Sequence, residues 1–302
     1  MAMPLNERVI KIIDELLKKE EEYGISHLKI GEANIIDCGV KSQGSVKAGE
    51  LFSKVCLGGK GEVKVRIGEY AGFFLPFVEV VTDSPIFCFM CQKADWNIGI
   101  GMASGPGKLL KDKKEKAEKA VVTIETNEYP SEETVEEISR CCNVEKKDLY
   151  ILLARTSSIV GRIQIAARSV ETALYKLEHI GEDIKVINYA WGVCPVAPLL
   201  GDDLTMLGIT NDLMIYTSRV FLSSSKSLDV ERIPSSSSTY YGKSFLEILK
   251  EVDFDFYKVP QDIFAPAEVW INDEEKRKMV VAGKVDVEKL RSLFISQSFN
   301  GI

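Results

Sequence analysis

Histidine, the commonest catalytic base and zinc ligand, is scarce in this 302-residue sequence, which contains only His27 and His179. The two lie far apart, and neither belongs to an HxH or HExxH pattern of the kind that holds catalytic zinc. A serine triad also needs a histidine base, and no GxSxG elbow is present. Zinc and serine hydrolase chemistry are therefore disfavoured, and catalysis would depend on carboxylate, arginine, lysine or tyrosine side chains.

Excess positive charge and long apolar runs are absent as well. The formal net charge of -7 argues against a nucleic-acid partner, because phosphate binding needs clustered lysine and arginine. No apolar run approaches the ~18 residues that span a bilayer. Charged residues such as Arg8, Lys11 and Asp14 interrupt the first apolar segment, which is incompatible with a signal peptide. We therefore expect a cytoplasmic protein without a membrane partner.

The nucleotide-binding motifs are incomplete. Gly99-Ile100-Gly101 begins like a dinucleotide fingerprint, but Ser104 stands at the third glycine position. Gly107-Lys108 lacks the earlier glycine of a Walker motif, and Leu109 replaces its hydroxyl residue. What remains is a glycine-rich turn over 104–107 that enters a helix. Two interpretations of this turn are about equally supported. It is a plain turn, or its backbone N–H groups hold an anion or a polar ring edge.

Seven cysteines are present, an odd number that suits reduced thiols. Cys88 and Cys91 form a lone CxxC, which could be a redox pair or half of a zinc site. No second CxxC or nearby histidine completes such a site, and the pair lies in an apolar segment. We therefore predict that all seven cysteines, including the adjacent Cys141 and Cys142, serve in packing.

The apolar patterning predicts a mixture of helices and strands. Helices are expected over 6–22 with Asn6 as its cap, after Ser131, over 158–180 and over 245–252. A helix after the 104–107 turn would carry the charged run 108–119 as a solvated face. The polar stretch flanked by the serines at 223–225 and 235–238 would be a mobile surface loop. Strands are expected over 35–40, 62–67, 73–81, 85–91, 120–124, 150–154, 184–190 and 213–222, with a hairpin of 268–271 and 279–282.

This order of elements, without strict alternation, predicts an α/β (mixed α+β) fold. At 302 residues the chain exceeds the usual size of one hydrophobic core, so we expect two domains. The predicted division places an N-terminal α/β domain at 1–140 and a C-terminal α/β domain at 141–302. The boundary is approximate, and the two domains could exchange segments.

The predicted helix over 158–180 contains the best catalytic candidate. Beside its apolar stripe lies a polar one that includes Gln164, Arg168 and Glu171. An i, i+3 ion pair is most often a weak surface contact, and the spacing alone favours that interpretation. Half-burial of the pair would favour a catalytic role instead. Burial raises the pKa of a carboxyl group, and a neighbouring guanidinium lowers it. Such a pair can poise a carboxylate to take a proton from water.

Motifs along nearly the whole chain make it resemble the methenyltetrahydromethanopterin cyclohydrolase family. These motifs are IIDCGV at 35–40, AGELFSKVCLGG at 48–59, QKADW at 92–96, SGP at 104–106, TSSIVGRIQIAARSVETALYK at 156–176, CPVAP at 194–198, TNDLMIY at 210–216 and DFYKVPQDIFAPA at 255–267. The resemblance implies hydrolysis of the methenyl bridge of a cationic small-molecule pterin to a formyl group. It also implies homotrimers of two-domain subunits with the pterin in an interdomain cleft, and no metal or nucleotide cofactor.

The same resemblance assigns roles to residues. Glu171 would activate water, Arg168 would tune and orient Glu171, and Lys93 would act near the reacting centre. The implied substrate-binding residues are Gln92, Ser104, Gly105 and Gln164.

The chain also departs from the family pattern, since residues 97–103 and 111–120 form shorter segments and Gly107-Lys108 replaces an Ala-Arg pair. A divergent, non-catalytic pterin-binding or assembly paralogue therefore stays an alternative, as does a thiol redox or metal module at Cys88 and Cys91.

Overall fold

The computed structural model describes residues 3–93 and 95–295 of the chain. The chain forms two compact units, and each unit consists of two segments that are distant in sequence. The first unit comprises residues up to 63 together with 86–164, and the second comprises 64–85 together with the residues from 165 onward. Each unit contains a sheet and helices, which confirms the predicted mixed α/β fold.

Two six-stranded sheets organise the described residues. In chain order the strands are β1 (Ser26–Ile30), β2 (Ala33–Gly39), β3 (Glu62–Tyr70), β4 (Phe73–Thr82), β5 (Trp96–Asn97), β6 (Met102–Ser104), β7 (Ala120–Glu125), β8 (Leu149–Ala154), β9 (Ile187–Pro195), β10 (Arg219–Ser224), β11 (Glu268–Asp273) and β12 (Lys278–Gly283). The first sheet has the order β1-β2-β8-β7-β6-β5, with β8 parallel to both neighbours. The second has the order β12-β11-β10-β9-β4-β3, with β10 parallel to β11 and β9 antiparallel to β10 and β4.

The helices are α1 (Leu5–Lys18), α2 (Glu20–Tyr23), α3 (Val46–Cys56), α4 (Pro85–Gln92), α5 (Gly107–Lys111), α6 (Glu132–Cys142), α7 (Ile159–Ala166), α8 (Ser169–His179), α9 (Asp203–Thr217), α10 (Phe245–Glu251) and α11 (Val287–Ile295). Ser131 caps α6 by accepting a hydrogen bond from Thr134 N, as predicted. Across residues 3–93 and 95–295, no helix is long and apolar enough to cross a membrane.

The first sheet is covered by helices on both faces. On one face α1 and α3 bury Ile36, Val121 and Leu152, and on the other α6 buries Ile35 and Val122. Strands buried on both faces have continuous apolar sequences rather than alternating ones. This explains why the runs that form β7 and β8 were recognisable in the sequence.

Two of the predicted strands are wrong. Residues 85–91 form α4, and most of 213–222 divides between α9 and β10. A short apolar run does not reveal its period, and Pro85 suits the first position of a helix, where its missing N–H costs nothing.

The serines on both sides of the predicted surface loop include buried ones. Ser223 Oγ donates to Glu274 Oε1 at 2.7 Å, and Ser235 Oγ donates to Ile215 O at 2.5 Å. These hydrogen bonds satisfy hydroxyl groups that water does not reach.

The start of α1 differs from its predicted cap. Asn6 lies inside the helix and is fully buried, where its amide donates to Pro106 O and accepts from Val121 N at 2.8 and 2.9 Å. The helix N-terminus is instead satisfied by Glu115, whose carboxylate accepts the Leu5 N–H at 2.6 Å. The charged run 108–119 is therefore not simply a solvated face.

Asp37, at the end of β2, organises the turn that follows it. Its fully buried carboxylate accepts the four backbone N–H groups of residues 39–42 at 2.7–3.0 Å and the Tyr129 hydroxyl at 2.8 Å. Burial opposes ionisation, but these hydrogen bonds outweigh it and lower the pKa of Asp37. The charged carboxylate therefore stabilises the first unit.

We predict that Asp37→Asn lowers the free energy of unfolding by about 2–3 kcal/mol at pH 7, because an amide cannot accept donors on both of its heavy atoms. A depressed folded pKa contributes stability above the unfolded value of about 3.9 and loses it as pH falls through the folded pKa. Urea unfolding at pH 7 and near pH 3 should show that the difference in free energy of unfolding between Asp37→Asn and wild type is smaller in acid. Asp14→Asn, on the exposed side of α1, is the control, and an equal gap at both pH values would contradict this role.

Candidate active site

The segment with the catalytic candidates is two helices, not the predicted single one. Ala167 and Arg168 separate α7 from α8, and Arg168 leaves helical geometry with φ -91° and ψ 5°. Arg168 thus becomes the N-cap residue of α8, and Glu171 lies in the first turn. Backbone N–H groups at a helix start favour a carboxylate there. The i, i+3 spacing brings the two side chains together, and both lie at the start of the helix.

Arg168 and Glu171 form a largely buried ion pair. Arg168 Nη1 donates to Glu171 Oε2 at 2.5 Å, and the two side chains are 16% and 8% exposed. An exposed pair would contribute at most about 1 kcal/mol. At this burial, loss of either partner leaves a charge uncompensated. The structure therefore favours an oriented carboxylate over a solvated surface contact.

Gly192 of β9 allows the start of α8 to lie close against the second sheet. A Cβ atom at this position would lie 2.3 Å from Ser169 Oγ and 3.0 Å from Val170 Cγ2. Ser169 is fully buried, so it has little room to move away. Because Ser169 directly follows Arg168 and precedes Glu171 by two residues, this contact also fixes the backbone that carries the ion pair.

The 104–107 turn in the first unit is held by internal contacts. Ser104 Oγ lies 2.8 Å from Thr123 Oγ1, which in turn lies 3.3 Å from Cys56 Sγ. Gly105 has φ +92°, a conformation that side chains rarely adopt, and its N–H donates to Cys91 O at 2.8 Å. These contacts give the turn a fixed shape, and its predicted role in substrate binding stays a prediction.

Gln164 contacts a carboxylate that the sequence reasoning missed. Its Nε2 donates to Glu125 Oε2 at 2.7 Å, and Thr156 Oγ1 donates to Glu125 Oε1 at 2.6 Å. Glu125 ends β7, a strand parallel to β8, and ligands commonly bind at the carboxyl ends of parallel strands. The available signal was an acidic residue placed directly after an apolar strand.

The QKADW motif follows the end of α4. Gln92, the last residue of α4, is 1% exposed, and Lys93 Nζ lies 5.5 Å from the ring centroid of Phe89. Asp95 forms an ion pair with Lys108, which is buried although the sequence predicted it to be solvated. Ala94 lies outside the described residues.

The predicted site residues are distributed over both units. Arg168 and Glu171 belong to the second unit and are in contact. Residues of the first unit are Gln92, Lys93, Ser104, Gly105 and Gln164.

The cysteines are free thiols, and all but Cys141 are buried, which confirms that Cys88 and Cys91 lie in the core. Burial raises the pKa of Cys91 well above its usual value and that of Cys142 to about 12. Protonated thiols are poor nucleophiles and poor metal ligands. The alternative of a thiol redox or metal module therefore loses support.

Comparison with known proteins assigns the chain to a family. Residues 4–294 match the model of the family described as Cyclohydrolase (MCH). The chain is 38% identical to the methenyltetrahydromethanopterin cyclohydrolase of Methanocaldococcus jannaschii over 96% of its own length and 97% of the relative's. It is 40% identical to that of Methanococcoides burtonii, with 93% and 95% covered, and 39% identical to that of Methanobrevibacter smithii, with 94% and 96% covered. The chain therefore belongs to the methenyltetrahydromethanopterin cyclohydrolase family.

Proposed function

We propose that this chain hydrolyses the methenyl bridge of 5,10-methenyltetrahydromethanopterin to give 5-formyltetrahydromethanopterin. The observation that carries the proposal is the buried Arg168–Glu171 ion pair, which lies within a family match that covers nearly the whole chain. Three relatives that carry the name of this activity are 38–40% identical to the chain over at least 93% of its length.

The reaction asks little of the protein beyond a positioned base. The methenyl carbon lies between two nitrogens in a cationic amidinium group, so it is already electrophilic. Attack by water forms a carbon–oxygen bond, and a base removes one proton from the attacking water. Cleavage of one of the two carbon–nitrogen bonds, with a proton delivered to the departing nitrogen, leaves a formyl group on the other. Water and the cation thus become the formyl product and one released proton.

Glu171 suits the role of the base, and Arg168 that of a positioning residue. The guanidinium contacts Oε2 of Glu171, so it fixes how the carboxylate is turned. The start of α8 packs closely against β9, where Ser169 lies opposite Gly192. A base held in place before the substrate arrives avoids the entropic cost of orienting it during the reaction.

Further residues would serve in binding, and the chain would assemble with copies of itself. Lys93 would act near the reacting carbon, and Gln92, Ser104, Gly105 and Gln164 would bind the pterin. We further propose that the reaction needs no metal or nucleotide cofactor, and that the chain acts in the cytoplasm as a homotrimer.

Glu171→Gln should lower kcat by roughly 10²–10⁴-fold, because the amide keeps the size of the side chain but cannot accept a proton. The loss of methenyl-pterin absorbance measures the rate, and tryptophan fluorescence quenching measures binding of the pterin. Glu178→Gln, at an exposed position of the same helix, should keep wild-type activity. Undiminished kcat in Glu171→Gln would overturn its role, and tight binding without turnover by the wild type would favour a non-catalytic paralogue.

Variants of Arg168 separate charge from geometry. Arg168→Lys keeps the charge but loses the planar guanidinium, so we expect about a tenfold lower kcat, equivalent to about 1.4 kcal/mol. Arg168→Gln removes the charge as well, so its kcat should be roughly tenfold lower than that of Arg168→Lys. The change in KM should be smaller than the change in kcat. Equal losses in the two variants would show that the charge of Arg168 plays no part in positioning the carboxylate.

A further inference from the structure

A buried lysine lies beside the QKADW motif in the first unit. Lys108, the second residue of α5, has a side chain that is 3% exposed, and its ammonium group forms an ion pair with Asp95 Oδ1. A lysine is almost never buried this far unless it is paired. The nearby carboxylate of Asp112 forms its own ion pair with Lys111 at 3.0 Å. Asp95 is therefore the carboxylate that compensates the buried charge, and the pair joins α5 to the chain just before β5.

Close packing fixes the place of α5 in the first unit. A Cβ atom at Gly107 would lie 2.6 Å from Val122 Cγ2 and 2.9 Å from Val121 O, so this residue must be glycine for α5 to begin this near to β7. Cys142 Sγ also donates to Gly107 O at 3.5 Å. Both valines are fully buried, so they have little room to move away. Lys108 thus extends from a backbone that is packed against an inner strand of the first sheet.

Backbone hydrogen bonds link Asp95 to Lys93. The Lys93 N–H donates to Phe89 O at 2.9 Å, which attaches the backbone of Lys93 to α4. The Asp95 N–H donates to Lys93 O, also at 2.9 Å. The Gly105 N–H donates to Cys91 O at 2.8 Å and ties the 104–107 turn to the end of α4. An anchor on the Asp95 side chain therefore restrains the backbone that carries Lys93.

The charge of Lys108 is not needed for packing. A buried ion pair is often no more stabilising than an apolar side chain of similar size, because both charged groups lose hydration. Methionine, which is unbranched like lysine and suits buried positions, would fill the same space. A methionine could not hold the carboxylate of Asp95, whose side chain is 49% exposed, in one place. The ion pair therefore specifies where Asp95 lies rather than supplying stability.

We propose that Lys108 is a positioning residue, which acts through Asp95 to place the ammonium group of Lys93 at the reacting centre. The inference rests on the proposed function, in which Lys93 acts near the methenyl carbon, and it names the contact that holds Lys93 there. Displacement of a reacting group by about 1 Å lowers a rate by up to about 10²-fold. Lys93 is partly exposed and has a long flexible side chain, so the place of its backbone limits where its ammonium group can reach.

Lys108→Met should lower kcat by about tenfold while the melting temperature stays close to that of wild type, because the packing is kept and the anchor is lost. Lys108→Arg keeps a cation that pairs with a carboxylate, so its kcat should return to within about threefold of wild type. The methenyl-pterin absorbance assay measures kcat, and thermal unfolding measures stability. Lys114→Met, which removes an exposed lysine shortly after α5, is the matched control and should keep wild-type kcat.

A double-mutant cycle with Lys93→Met shows whether Lys108 acts through Lys93. We expect Lys93→Met/Lys108→Met to be no slower than Lys93→Met alone, because an ammonium group that is already absent cannot be misplaced. Asp95→Asn keeps the size of its side chain and gives the same cycle from the other end of the ion pair, which decides the question if Lys108→Met does not fold. Losses that multiply in the cycle, or a folded Lys108→Met with wild-type kcat, would overturn the inference and leave the proposed function intact. A wild type that binds the pterin without turnover would overturn both.

Discussion

The close approach of α8 to β9 at Gly192 is the constraint on which the candidate site depends. Any side chain at that position would collide with Ser169, the first residue of the helix. The contact fixes where α8 begins, and the start of α8 places Arg168 and Glu171 side by side. A carboxylate held in this way, at the start of a helix and against a guanidinium, can meet a cationic substrate without first being reorganised.

Buried polar groups hold the loops of the first unit in place through hydrogen bonds. The Asp37 carboxylate orders the turn after β2, and Glu115 and Asn6 fasten the start of α1 to the segments around Pro106 and Val121. Groups of this kind are costly unless each polar atom has a partner, so they specify one arrangement of the loops. Binding residues supported by such loops are positioned by many contacts rather than by one.

The sequence predicted some parts of the molecule well and others not. The strands β7 and β8 and the Ser131 cap were recognisable because burial on both faces and helix starts leave local patterns. The interruption of the helix at Arg168 was not recognisable, because Ala167 and Arg168 are good helix formers. Gly192, which faces the start of α8, is distant in sequence. Glu125 was missed because its partner Gln164 is brought near only by the fold. Helical spacing made Arg168 and Glu171 neighbours, whereas their burial could come only from the structure.

The central claim is that Glu171 activates the water that attacks the methenyl carbon. A crystal structure of the inactive Glu171→Gln variant with methenyltetrahydromethanopterin bound would test it most directly. We predict a water molecule within about 3 Å of the side chain at position 171 and in line with the methenyl carbon. A complex in which that side chain lies too far from the carbon for one water to bridge them would contradict it.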